Sequence, residues 1–231
     1  GEMVVGERLE RGMRRVWLED GGSPLDYAQR HGHVPLPPYI QRADDEVDSE
    51  RYQTVFAKET GSVAAPTAGL HFDEDLLAAL DEKGVQRAFV TLHVGPGTFL
   101  PLSEDELRRG SLHAERYLVP RKTVEAVKRC RARGGRVVAV GTTACRSLES
   151  LPAEPEEEVS GTTSLFIRPG HRFRWVDVLL TNFHLPKSSL LLLVAAFAGE
   201  RWREAYAHAL RHDYRFYSYG DANWIERSGA R

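Results

Sequence analysis

The sequence predicts a mixed α/β fold, and three observations carry that expectation. From residue 60 onward, short β-branched apolar runs alternate with stretches of helical spacing. Residues 1–34 instead hold two short strand-like runs set among Gly, Arg and Glu, as at the end of a β-rich unit. Between the two regions, Pro35-Leu36-Pro37-Pro38-Tyr39-Ile40 stiffens the chain into an extended connector. The expected organisation is therefore a small β-rich unit over residues 1–34 and an α/β domain over 35–231, with a substantially parallel sheet.

Taken in order, Met3-Val4-Val5 and Arg15-Val16-Trp17-Leu18 read as strands, and Asp20-Gly21-Gly22 as a turn. The acidic stretch Asp44 to Glu50 leads into a helix through Lys58. Asp73 reads as an N-cap, with Glu74 and Asp75 suiting the positive helix start, and Phe72 placed to staple onto Leu77. That helix stops near Gly84, and Ala88 to Val94 is strand-like. Ser103 and Glu106 form a capping-box pattern before a short helix ending at Gly110. Arg116 to Val119 is extended, and Thr123 to Ala132 helical. Arg136 to Val140 is a buried strand that passes through Gly141-Thr142-Thr143 into a helix. A Pro/Glu loop over 152–160 precedes another buried strand, Asp177 to Leu180, an apolar helix from Ser188 and a last helix over Trp202 to Leu210.

Composition narrows the function classes. A length of 231 residues suffices to bury a core. The formal net charge of -2 gives no global field toward nucleic acid, so an RNA-binding surface has to be local. The two cysteines, Cys130 and Cys145, stand at no metal-ligand spacing, which argues against a disulfide framework and for a reducing cytosol. Neither His-Glu-x-x-His nor Cys-x-x-Cys occurs, so no metal site is expected, and no cysteine triplet offers an iron–sulfur cluster. The apolar run Leu190 to Ala198 is too short to span a bilayer, and no membrane association is expected.

Four segments carry polar residues where a pure core has no use for them. Thr67-Ala68-Gly69-Leu70-His71 combines small residues, which let backbone approach a ligand, with a histidine just before a helix start; a tight turn with a satisfied histidine is the plainer alternative. His93 stands near the end of a strand, followed by Gly95-Pro96-Gly97-Thr98-Phe99, where α/β folds bind ligands; a hairpin-like turn is the alternative. Gly141-Thr142-Thr143-Ala144-Cys145-Arg146 sets hydroxyls at a helix N-terminus, able to hold a carboxylate, ribose or phosphate, or simply to cap the helix. It lacks the further glycines of a dinucleotide fingerprint. Thr181-Asn182-Phe183-His184-Leu185-Pro186-Lys187-Ser188 again lies between strand and helix, and a lysine at a helix start is unfavourable unless an anion joins it. His113 and Glu115 are two apart, so on a strand they face the same way. Arg121, Lys122, Lys128, Arg129, Arg131, Arg133 and Arg136 cluster with only Glu125 against them, either as a phosphate-tracking patch or as a solvated helix face.

In sequence order, these strings resemble one family. They are Pro35 to Ile40, Asp48 with Glu50 to Ala57, Gly61 to Phe72, Thr91 to Phe99, His113 with Glu115, Gly141 to Thr143, Thr181 to Phe197 and Tyr214 to Ala222. Together they are similar to the S-adenosylmethionine:tRNA ribosyltransferase-isomerases of queuosine synthesis. The resemblance implies a barrel-like α/β domain with a small antiparallel β-barrel domain, here partial, since the family's N-terminal segment has no counterpart in this chain. Asn223 stands where the family usually has Met.

The resemblance further implies transfer and isomerisation of the ribosyl group of S-adenosylmethionine onto 7-aminomethyl-7-deazaguanine at the tRNA wobble position. The products are epoxyqueuosine-tRNA, adenine and methionine. S-adenosylmethionine is then a co-substrate and no cofactor is needed; the expected protein is a cytoplasmic monomer whose partner is tRNA. The reaction needs a base to remove a proton beside the sulfonium, for which His93 or His71 is the candidate, with Glu115 orienting the imidazole or taking the proton itself. Thr67, Gly69, Thr142, Thr143, Arg146, Asn182, His184, Lys187 and Ser188 are the expected surface for S-adenosylmethionine. Tyr52, with Tyr39 as its alternative for stacking on the target base, and Arg129 and Arg133 are the expected contacts to tRNA. Two rival expectations are a tRNA-binding chain without catalysis and another S-adenosylmethionine-dependent enzyme such as a methyltransferase.

Overall fold

In the computed structural model, which describes residues 2–9, 14–95 and 102–227, the chain divides into two compact units, Gly1–Ser49 and Glu50–Arg231. In the first, β1 (Met3–Arg8) pairs antiparallel with β2 (Arg14–Leu18), setting Met3 opposite Leu18 and Val4 opposite Trp17. Helix α1 (Pro24–His31) follows, with Pro24 at its start and the Ser23 hydroxyl accepting from the Asp26 N–H. The Pro35–Ile40 connector lies within this unit. Helix α2 is shorter than the acidic stretch suggests, Glu46–Arg51 only. Arg42 grips the buried Asp48 carboxylate at 2.5 and 2.8 Å, and after Arg51 the chain turns to bury Tyr52.

In the second unit, a short 3-10 helix (Thr67–His71) precedes α3 (Glu74–Glu82), which the Asp73 carboxylate caps at the Leu76 N–H as its sequence predicts. Strand β3 (Thr91–His93) is brief, and the Pro96-Gly97-Thr98-Phe99 turn lies outside the described residues. Helix α4 (Glu104–Arg109) carries the full capping box between Ser103 and Glu106 and ends at Gly110 in the left-handed conformation, φ 66°. Then come β4 (Ser111–Val119), α5 (Arg121–Ala132), β5 (Val138–Val140), α6 (Thr142–Glu149), β6 (Val159–Leu165), β7 (Val178–Asn182), α7 (Ser189–Ala198), α8 (Arg201–Arg211) and β8 (Ala222–Glu226).

The strands form two three-stranded sheets, β3-β4-β6 and β5-β7-β8, each with its second-named strand in the centre. The expected predominance of parallel pairing is corrected here. β5 and β7 run parallel, with Ala139 beside Leu179, but the other pairings of both sheets are antiparallel. The strand–helix alternation read from sequence did not distinguish a crossover within one sheet from a helix leading between sheets. Helix α6 does the latter: it packs on β5 and β7 of one sheet and on β3 and β4 of the other. Among the described residues no sheet closes into a barrel.

The main core sits around α6, where Val119, Val124, Cys145, Leu179, Leu193 and Phe197 are buried together. Burial also pushes the Cys145 thiol well above its ordinary range, as suits a residue that only packs. At the far end of α6, the Glu149 carboxylate accepts the backbone N–H groups of Arg174, Trp175 and Val176, each at 2.9 Å. Burial alone would raise this carboxyl, but the nearby His171 and the three N–H donors outweigh it and hold the group below its usual range. The result pins the loop before β7 to α6.

Candidate active site

Gly141, with φ 91°, turns the chain sharply out of β5 into α6. It leaves the 3-10 helix close by: a side chain built there meets the Ala68 methyl at 3.9 Å. The end of β7 also lies at this junction, where the Gly141 N–H donates to the Leu180 carbonyl at 2.8 Å. There the Asn182 side chain, 2% exposed, ties three segments together. Its Oδ1 accepts from the Thr67 hydroxyl at 3.0 Å, and its Nδ2 donates to the Gly220 carbonyl at 3.4 Å and faces His71 Nε2 at 3.3 Å. The Gly220 carbonyl only accepts, so the amide nitrogen is the end that faces it. His71 Nε2 is then an acceptor, and in the neutral ring the proton sits on Nδ1. Thus Thr67 and His71, from one sequence segment, and Asn182, from another, stand in one hydrogen-bonded chain. The Gly69 between them is packed tightly, with Phe56 Cζ and Thr54 Cγ2 within 2.8 Å of where a side chain would begin.

His93 ends β3 beside a second glycine. Gly61 adopts φ 128°, and a side chain there would approach His93 Nδ1 to 2.8 Å. Ser62 and Val63 bond alongside Leu92 and Val94, so residues 61–63 wall in the histidine. Two residues on, the Gly95 N–H donates to Glu115 Oε1 at 3.2 Å, while Glu115 Oε2 accepts from Arg146 Nη1 at 2.5 Å. Both partners of that ion pair are 8% exposed at their side chains. Arg146 Nε also donates to the Leu165 carbonyl at 3.2 Å, and its Nη2 has no hydrogen-bond partner. With both oxygens engaged, Glu115 is suited to positioning more than to carrying a proton.

The remaining expected residues divide. Thr142 and Thr143 open α6 behind Gly141, the N-cap residue, and no side chain makes a cap hydrogen bond there, so the threonine-capping alternative is not what the structure shows. His184 turns inward: its Nε2 meets the Thr181 hydroxyl at 2.8 Å, and its backbone N–H donates to the Tyr206 hydroxyl at 3.0 Å. Burial lowers His184 to about 4 and raises Tyr206 to about 12, so both are neutral at pH 7. His184 is therefore a polar brace at the end of β7 and a poor proton acceptor. Ser188 caps α7, its hydroxyl accepting from the Leu191 N–H and donating to the Leu185 carbonyl, while Lys187 is exposed in a left-handed conformation, φ 59°. Tyr52 is buried, its hydroxyl 3.1 Å from Ser218 Oγ and its ring edge-on to Tyr219. Arg129 and Arg133 lie on the exposed face and end of α5, Arg129 near Glu125 and Arg133 on Gln86. Tyr206 and Gly220 belong to the framework but are not among the expected site residues: Tyr206 reaches the site from α8, and Gly220, within the Tyr214 to Ala222 string, from the loop before β8.

Among the described residues, no group of three or more His, Cys, Asp and Glu is arranged to hold a metal ion, and no helix is long and apolar enough to cross a membrane. Fold and site together define an α/β protein whose polar residues gather where strand ends meet helix starts. A family model described as queuosine biosynthesis protein matches residues 2–225, and the chain belongs to that family. It is 57% identical over 208 residues to an S-adenosylmethionine:tRNA ribosyltransferase-isomerase of Aromatoleum aromaticum, a match covering 89% of this chain and 60% of the relative. A relative of the same name from Azoarcus is 56% identical over 90% of this chain and 61% of its own length. The chain thus spans about 60% of the length of the curated relatives it matches. A crystal structure of S-adenosylmethionine tRNA ribosyltransferase from Thermotoga maritima superposes with a TM-score of 0.58 at 48% identity, covering 68% of this chain and 51% of that one.

Proposed function

We propose that the chain carries the S-adenosylmethionine:tRNA ribosyltransferase-isomerase activity of its relatives, adding a ribosyl-derived epoxycyclopentane to 7-aminomethyl-7-deazaguanine in tRNA and releasing adenine and methionine. The observation that carries this reading is the meeting of His71, Thr67 and Asn182 in one hydrogen-bonded chain next to the start of α6. It is supported by the identity to relatives of that name across about nine-tenths of the chain.

The chemistry begins with a base. The sulfonium acidifies the adjoining ribose carbon, and a histidine removes its proton to leave an ylide. Adenine departs as the sugar opens to a vinyl sulfonium; the aminomethyl nitrogen of the tRNA base then adds, and ring closure expels methionine. His93 or His71 is the proposed base, His71 only once its Nε2 releases the Asn182 amide, and Glu115 positions the end of β3 through the Gly95 N–H. Thr67, Gly69, Thr142, Thr143, Arg146, Asn182, His184, Lys187 and Ser188 supply the surface and framework for S-adenosylmethionine, and Arg129 and Arg133 reach toward tRNA. The same reading takes the fold as part of a barrel-like α/β domain, with residues 1–34 from a small β-barrel, and the protein as a cytoplasmic monomer.

The test is adenine release from S-adenosylmethionine in the presence of precursor tRNA. His93→Ala or His71→Ala is expected to cut turnover by about 100-fold or more. Wild-type turnover in both variants excludes the base assignment, and S-adenosylhomocysteine as product excludes the reaction.

A further inference from the structure

Beside the site just described, a pocket opens among α4, β4, α6 and α7, with Glu106, His113, Glu115 and Arg146 on its polar side and Phe166 and Leu190 on its apolar side. Among the described residues, two of its nitrogens are buried and make no hydrogen bond: Arg146 Nη2 and His113 Nε2, the latter 3.5 Å from Glu106 Oε1. Buried polar nitrogens are nearly always paired: the guanidinium nitrogen calls for an acceptor, and His113 Nε2 donates or accepts according to its tautomer. A guanidinium nitrogen can only donate, which makes that acceptor an oxygen group and favours an anionic one. The first turn of α7 also borders the pocket through Ser189 and Leu190, where helix N–H groups favour negative charge.

A bare anion does not fit, because the carboxylates of Glu106 and Glu115 line the same space. A group that presents a carboxylate and a cation together does. The apolar wall then takes a short chain, and a positively charged sulfonium beside an aromatic ring such as Phe166 gains a cation–π attraction. We infer that this pocket binds the methionyl end of S-adenosylmethionine, its α-carboxylate on Arg146 Nη2 and the first turn of α7, its α-ammonium toward Glu106, and its sulfur-bearing chain along Phe166 and Leu190. The inference rests on the function proposed above and refines it: Thr142, Thr143 and Asn182 are left to the sugar. The Gly95 N–H bond to Glu115 ties the pocket to the strand end that bears His93, so the amino-acid end and the proton to be removed fall within one site.

The experiment titrates the protein with L-methionine, with 3-(methylthio)propylamine, which lacks the carboxylate, and with 3-(methylthio)propanoate, which lacks the ammonium. Binding is followed by amide chemical shifts in the wild type, Glu106→Gln and His113→Gln. Arg146 is left intact because its loss strands the buried Glu115. L-methionine is expected to bind about ten- to 100-fold more tightly than either analogue, and each substitution to weaken it several-fold. Equal binding of the three compounds, no binding of L-methionine, or unchanged affinity in both folded variants overturns the inference. Adenine release keeps this separate from the reaction. A protein that discriminates the three compounds yet releases no adenine retains the pocket and loses the proposed activity. A protein that consumes S-adenosylmethionine and its decarboxylated form with equal kcat/KM retains the activity and loses the pocket.

Discussion

Two glutamates of this protein pair with arginine, Glu125 with two and Glu115 with one, and they differ in almost everything else. Glu125, on the exposed side of α5, receives Arg121 at 3.0 Å and Arg129 at 3.6 Å, with all three side chains at least 42% exposed. Glu115, on β4, receives Arg146 from α6 at 2.5 Å, with both side chains 8% exposed. The first set follows helical i,i+4 spacing and is legible from sequence. The second spans 31 residues and joins a strand to a helix. Water screens the first, so it contributes roughly 0–1 kcal/mol. The second gives up hydration on both partners and recovers it only while the pair, the Gly95 N–H and the Leu165 carbonyl all stay in place. An ion pair built at that cost between a strand and a helix points to a role for the guanidinium beyond holding the fold.

The comparison is broken most forcefully at Glu115. Glu115→Gln leaves the Arg146 charge buried without its counter-ion, and the expected loss is about 3–5 kcal/mol in urea unfolding. Glu125→Gln, the matched change on α5, is expected to cost less than about 1 kcal/mol. Equal losses at the two positions would mean that solvent reaches the Arg146 pair as freely as it reaches α5.

The fold was legible in sequence wherever local chemistry decides it. The Asp73 cap, the Ser103–Glu106 box with Gly110 beyond it, and the Ser188 start of α7 all stand where their residue types put them. Sheet pairing was not, because strand order depends on which faces the helices bury, and α6 buries two. The candidate site was half legible. Thr67, His71 and Asn182 were each visible as polar residues out of place, but only the fold brings residue 67 to residue 182. Glu106 read as a cap and is one, yet the same buried carboxylate also lines a pocket. Tyr206 read as an ordinary helix residue, since nothing nearby in sequence shows that its hydroxyl meets the His184 N–H.

His184 sharpens the same contrast through pH. Burial lowers it from 6.5 to about 4, so the folded state resists a proton that the unfolded state takes up below pH 6.5. Its contribution is complete above pH 6.5 and is lost as the pH falls toward 4. The loss is at most about 3 kcal/mol, and less to the extent that partial exposure of the residue screens it. Unfolding free energies measured from pH 7 to pH 4.5 should fall more steeply for the wild type than for His184→Gln. Parallel curves would show that the ring reaches solvent in the native state.

The smallest effect on stability belongs to the exposed face of α5. Much of the basic cluster there is tied to the protein itself: Lys128 to the Pro155 carbonyl, Arg131 over the Trp175 ring, Arg133 to Gln86 and Arg136 to Glu226. These contacts are exposed or partly so, and phosphates compete for such side chains with little loss. Arg129→Glu combined with Arg133→Glu is therefore expected to leave the unfolding midpoint nearly unchanged, since surface changes of this kind fall within about 0.5 kcal/mol. If α5 follows a tRNA backbone, the same double change weakens tRNA binding and flattens its dependence on salt by roughly one to two in the logarithmic slope. Because stability stays fixed, a fall in affinity reports the surface and not the fold. An unchanged salt slope would leave these arginines as solvated helix charges, and the path of the RNA would have to be sought on another face.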